Sequence, residues 1–164
     1  MRLVILGAGG YGRTVADVAE QLGYEDIIVL DDALEGKGLS TFVQFIDDAT
    51  VFIPAFGNDE FRMKWIDLIT DEGGRLATLI HPSAYVSPKA QIGQGTVILP
   101  GAVINTETQI GNGCIINIGA LIDHGNMIGE GCHICCGAIV KAENVIPPKT
   151  KIEAGTVIEA RTLK

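Results

Sequence analysis

The sequence predicts a Rossmann-like α/β unit over residues 1–78 followed by a parallel β-helix of six-residue repeats over residues 79–164. Three observations carry this. A buried strand runs into a glycine turn and a helix at the start of the chain. A second buried strand then ends on two aspartates. From Ile80 onward, a large aliphatic residue recurs every sixth position.

The first strand is Arg2-Leu3-Val4-Ile5-Leu6, too short and too soon closed by glycine for a signal peptide, so a cytoplasmic location is the expectation. Gly7-Ala8-Gly9-Gly10-Tyr11-Gly12 follows and has the spacing of a dinucleotide turn. Without Cβ atoms, such a turn lets backbone N–H groups and a helix N-terminus approach phosphates. Val15, Val18, Ala19 and Leu22 fall on one helical face, and Gly23 ends that helix. Ile27-Ile28-Val29-Leu30 is a buried strand closed by Asp31-Asp32, and Asp31 stands where an acidic side chain bonds a ribose hydroxyl. Fewer than 80 residues make half a dinucleotide fold, so the expected ligand is a nucleotide or nucleotide-sugar rather than NAD.

Val51–Ala55 reads as a third parallel strand and 59–72 as a helix with Phe61, Trp65, Ile66 and Ile69 inward. Arg62 and Lys64 read as solvated charges. Gly73-Gly74 breaks the helix, and 77–80 leads as a strand into His81-Pro82, where His81 reads as structural.

The period of six then runs without a miss from Ile80 to Ile158, with Ile or Val at fourteen successive positions. Four residues after each stands a small or short polar residue, Ala84 and Ala90 through Cys114, Asn126, Cys132 and Asn144 to Thr162, often preceded by glycine. No amphipathic helix has this period, whereas a three-sided coil of 18 residues does. Cys114 should then stack on Cys132, and Asn126 on Asn144. Val97, Val103, Ile115, Leu121 and Ile139 point outward, an apolar set that predicts an oligomer, with a trimer fitting a three-sided prism.

One corner differs from the small-residue corners around it: Ile122 is followed by Asp123-His124. A neutral imidazole takes a proton from an amine or hydroxyl near neutral pH, and a neighbouring carboxylate favours the product. His124 also reads simply as an exposed turn histidine, and His133 as an interface one. Cys132-x-x-Cys135 lacks the partners of a zinc site, so no metal is expected. A formal charge of −8 argues against nucleic acid, and no apolar run is long enough for membrane insertion.

The glycine loop, Gly57-Asn58, His81-Pro82-Ser83-Ala84 and Ile122-Asp123-His124 together resemble the sialic acid O-acetyltransferase and bacterial nucleotide-sugar acetyltransferase family, which includes bacillosamine-type acetyltransferases. The resemblance implies a left-handed β-helix, a homotrimer, acetyl-CoA as acyl donor in a cleft between prisms, and a UDP-sugar on the N-terminal unit. It implies His124 as general base with Asp123 beside it. It implies His133, Asn117, Ala142 and Gly137 around acetyl-CoA, and Gly7, Gly9, Gly10, Tyr11, Gly12, Asp31 and Asp32 around the nucleotide-sugar. The chain departs from the family at Tyr11, usually a histidine, and at Gly125, where an acidic residue is common. It also lacks the family's Gly-x-Pro-Ala-Lys-like end, so a shortened CoA groove and a purely nucleotide-sugar-binding or assembly role form the alternative expectation.

Overall fold

The computed structural model describes residues 1–163, which divide into two compact units, Met1–Leu79 and Ile80 onward. In the first, β1 (Arg2–Leu6), β2 (Asp26–Leu30) and β3 (Thr50–Pro54) form a parallel sheet in the order β2-β1-β3. Leu3 pairs with Ile27 on one side and Val51 on the other. The central strand is sealed, with Leu3 through Leu6 at 0% exposure. That is why it reads as an unbroken apolar run: a parallel strand covered on both faces has no polar alternation.

Helix α1 (Gly10–Gln21) buries Val15, Val18 and Ala19, as their spacing requires. Leu22 lies outside it, as the exposed C-cap. Helix α2 (Asp59–Asp71) starts at Asn58, whose Oδ1 accepts the Phe61 N–H at 2.7 Å. A side-chain acceptor of this kind satisfies one of the orphan donors of a first helical turn. Its buried face is Arg62, Met63, Ile66 and Ile69, one residue round from the expected one. Phe61 is exposed and Trp65 half-buried. Arg62 is not a solvated charge. Its Nη1 donates to the carbonyls of Phe56 at 2.8 Å and Gly57 at 3.3 Å, which keeps a buried guanidinium tolerable.

The second unit is a left-handed parallel β-helix of two-residue strands, each six residues after the last. One face stacks the strands beginning at Leu79, Val97, Ile115, His133 and Lys151. The second stacks those at Tyr85, Val103, Leu121, Ile139 and Val157, and the third those at Gln91, Gln109, Met127 and Val145. The second residue of each strand points inward and forms the core from Ile98 to Ile152. Every sixth residue from Gly95 to Arg161 turns the corner with positive φ, non-glycine only at Glu107, Glu143, Lys149 and Arg161.

The small polar column does more than fill space. The Thr96 hydroxyl donates to the Gly111 carbonyl at 2.9 Å, and Thr108 to Asp123 at 2.8 Å. The thiols of Cys114 and Cys132 donate to the carbonyls of Gly129 and Pro147, both at 3.1 Å. Asn144 Nδ2 reaches the Glu159 carbonyl at 3.0 Å. Each link joins one coil to a corner of the next, satisfying carbonyls that the strand ladders leave out. The stacked cysteines are thus buried donors.

The outward apolar set differs from expectation at two positions: Val97 and Ile115 are buried. Tyr85, Leu121 and Val157 are exposed on the second face and Met127 and Val145 on the third.

Candidate functional site

In the first unit, the loops after β1, β2 and β3 enclose a cleft of about 620 Å³ lined by Gly7, Gly9, Gly10, Tyr11, Asp31, Ala55–Asn58 and Phe61. It sits at the carboxyl ends of the strands, where open parallel sheets bind ligands. Its glycines divide by role. A Cβ on Gly12 would collide with the Gly7 carbonyl, and one on Gly7 would reach 2.9 Å from the Ala55 carbonyl. These two let the backbone close. Gly9 has nothing within 4 Å of its Cβ position, and Gly10 only the Arg13 guanidinium at 3.9 Å. They leave the cleft open. Helix α1 begins here with no side-chain cap and no acidic residue in its first turn, which suits an anion.

Asp31 braces this loop. Its Oδ2 accepts the Ala8 N–H at 2.7 Å and its Oδ1 the Ala33 N–H at 2.9 Å. Those two bonds hold its carboxyl below the ordinary carboxylate value, burial opposing them slightly. Asp32 turns away from the cleft: its Oδ1 accepts the Leu39 N–H at 2.8 Å, at the start of a 3₁₀ helix over Leu39–Phe45. Phe61 was expected in the core. It instead stands at the cleft, its ring held edge-on by Phe56 at 4.6 Å. Ala55, Phe56, Gly57, Asn58 and Phe61 form a wall that sequence spacing did not identify, although the helix cap at Asn58 marks where it starts.

In the second unit, His124 is an exposed corner residue between the second and third faces. Asp123 Oδ1 accepts the backbone N–H of His124 at 2.7 Å and the amide of Asn105 at 3.0 Å. The His124 N–H foremost, with smaller help from Asn105 and the imidazole's charge, holds the Asp123 carboxyl below its ordinary value against partial burial. The carboxylate therefore fixes the corner that carries the ring. A groove of about 260 Å³ on the second face, lined by Val103, Leu121 and Ile139, runs to Asn105, Asp123 and Lys141 at this corner.

One coil on, Ala142 occupies the place equivalent to His124. The corresponding N–H of Thr106 is taken by Asn105 Oδ1 at 2.7 Å, and that of His124 by Asp123. Ala142 follows Lys141, which has no acceptor, and its N–H finds no partner among the described residues. Glu143 N–H donates to the His124 carbonyl at 3.1 Å, tying the two corners together.

Asn117 and His133 meet on and beside the first face, Asn117 Nδ2 standing 3.0 Å from His133 Nε2. In a triangular coil that face lies opposite the corner of His124, so one chain does not bring the two histidines together. Gly137 is an exposed corner of positive φ between the first and second faces. Burial pushes the Cys135 thiol up, which disfavours a thiolate nucleophile. His81 is buried, its Nδ1 accepting the Ser83 N–H at 3.0 Å. Among the described residues no three metal-type side chains converge, and no helix is long and apolar enough to cross a membrane.

A glycine-turn α/β unit followed by a hexapeptide coil is the domain order of the two-unit hexapeptide-repeat acyltransferases. Comparisons agree. Residues 2–69 match the PglD N-terminal domain family. UDP-N-acetylbacillosamine N-acetyltransferase of Bacillus subtilis (strain 168) is 32% identical over 108 residues, 58% of this chain; the match spans half the length of that curated relative. The acetyltransferase domain of PglB from Neisseria gonorrhoeae FA1090, also solved in complex with acetyl coenzyme A, is 30% identical with a TM-score of 0.82, covering 97% of this chain and 91% of that one. WeeI from Acinetobacter baumannii AYE shares the fold, with a TM-score of 0.88 at 23% identity over 97% of this chain and 81% of that one. The chain belongs to the PglD-like family of hexapeptide-repeat nucleotide-sugar acetyltransferases.

Proposed function

We propose that this protein transfers the acetyl group of acetyl-CoA to an amine or hydroxyl of a UDP-linked sugar, in a cleft between the chains of a homotrimer. The observation that carries this reading is the pair of neighbouring corners, an exposed imidazole at His124 and an unclaimed backbone donor at Ala142. A base and an oxyanion donor are what acyl transfer requires.

Acetyl-CoA supplies an activated thioester. The apolar groove of Val103, Leu121 and Ile139 fits its pantetheine arm, with Lys141 near the reacting end. His124 takes the proton of the sugar amine or hydroxyl as that atom bonds to the acyl carbon. The Ala142 N–H donates to the acyl oxygen as charge develops there. The C–S bond breaks, and the proton held by His124 passes to the departing sulfur. Asp123 holds the corner and favours the imidazolium through its charge. The phosphates lie on Gly9 and Gly10 at the start of α1, with Tyr11, Asp31 and the Phe56–Phe61 wall around the rest of the nucleotide. Asp32 serves the loop behind.

Two features support the trimer. Tyr85, Leu121, Val157, Met127 and Val145 leave two faces with exposed apolar residues that a neighbouring chain would cover. His124 and the Asn117–His133 pair also lie on opposite sides of one prism, so a neighbouring chain is needed to bring them to one cleft.

The test is mass spectrometry of UDP-linked amino sugars incubated with acetyl-CoA and the protein, wild type or H124A. Acetylated product with wild type and loss of about 10²–10⁴ in turnover with H124A are expected. Tight UDP-sugar binding with no acetyl-CoA binding and no product would instead assign a binding or assembly role.

A further inference from the structure

The contact between Asn117 and His133 fixes more than proximity. Ile118 N–H, which can only donate, lies 2.8 Å from Asn117 Oδ1. That sets the orientation of the amide: the oxygen faces Ile118 and the nitrogen faces the ring. Asn117 Nδ2 can only donate, so His133 Nε2, at 3.0 Å, must accept. A neutral imidazole that accepts at Nε2 carries its proton on Nδ1. We infer that Asn117 is a positioning residue that locks His133 as the Nδ1–H tautomer, making it a hydrogen-bond donor rather than a second base.

The surroundings agree. In the ladder, the His133 strand lies between Ile115 below and Lys151 above. Lys151 is paired with Glu153 at 2.9 Å, and burial pushes the Cys135 thiol up. The inference rests on the proposed acetyl transfer only for what the Nδ1–H serves, donation to the acyl donor, with His124 left as the single base.

The chain has three histidines, so ring ¹⁵N spectra of the labelled full-length protein resolve His133 with His81 and His124 as internal controls. Wild type is expected to show Nδ1 protonated and Nε2 bare. N117D keeps the Ile118 contact but turns an acceptor to the ring, and should move the proton to Nε2. N117A should leave a mixture. A wild-type ring protonated at Nε2, or a pattern that N117A and N117D both leave unchanged, overturns the lock. Turnover should fall about tenfold or more in N117D, with the KM for the UDP-sugar within about twofold, the size expected for a misdirected donor. Unchanged turnover alongside a moved proton overturns the role in transfer. If wild type acetylates nothing, the functional reading fails while the ring spectra still decide the tautomer.

Discussion

Asn144 donates its backbone N–H to Asn126 Oδ1 at 2.9 Å, across the gap between two coils. Asn126 in turn donates from Nδ2 to the Asp123 carbonyl at 2.7 Å, so a fully buried amide supports the corner that carries His124. N126A removes both bonds and leaves the Asn144 N–H buried without an acceptor. We expect a loss of about 2–4 kcal/mol in stability, read by thermal or urea unfolding, because unsatisfied buried groups cost about 1–3 kcal/mol each. A change below about 0.5 kcal/mol would show that the ladder is not structural.

The glycine turn after β1 offers a sharper contrast. G12A should disrupt the first unit, since its Cβ meets the Gly7 carbonyl, while G9A should fold as wild type because nothing lies near its Cβ. G9A nonetheless places a methyl group in the open cleft. Calorimetry with UDP should show binding weakened about tenfold or more in G9A, with melting unchanged, if phosphates approach this backbone. Equal UDP affinity in G9A and wild type would place the nucleotide elsewhere.

Acid should act through Asp31 and Asp123. Both carboxyls sit below the ordinary value of 3.8 in the folded chain, chiefly through backbone N–H bonds. A lowered folded value means that the stabilisation is complete above the unfolded value. It is lost as pH falls through the folded one. D31N and D123N should therefore be less stable than wild type at neutral pH and lose less on acidification below pH about 4. Parallel acid-unfolding curves for wild type and both variants would contradict this.

Arg62 ties the cleft wall from beneath. R62M keeps the bulk but leaves the Phe56 and Gly57 carbonyls without their donor. A loss of about 2–3 kcal/mol is expected for these buried bonds to a charged group. Weaker UDP binding should accompany it, since Phe56 and Gly57 line the cleft. Hydrogen exchange confined to residues 55–61 would locate the effect. Wild-type exchange there would refute the role.

The coil was legible because stacking repeats each residue's environment every 18 positions, and the period of six appears without gaps in Ile and Val. The hydrogen bonds of Thr96, Cys114 and Asn144 to the next coil's corners were not, because size alone places these residues inward and their polarity has no separate periodicity. In the first unit, the buried strands and glycine turn were readable, whereas Arg62 and Phe61 exchanged expected places. A helix face is set by what covers it, and α2 is covered one residue round from its most apolar stripe. Asp31 and Asp32 look equivalent in sequence, yet one braces the glycine loop and the other starts a 3₁₀ helix. Ala142 was placed by resemblance alone; that its N–H is unclaimed depends on the residue before it, Lys141, lacking an acceptor.

The uninterrupted run of left-handed corners from Gly95 to Arg161 gives the coil a reading frame. Deleting or inserting one hexad would leave every side chain inward or outward as before, yet swing all that follows by a third of a turn. The histidine corner would then face another direction on an intact scaffold. Eighteen residues restore the direction and change only the height. Length variants of this protein should therefore fold in steps of six but work in steps of eighteen, which separates assembly of the solenoid from alignment of its chemistry.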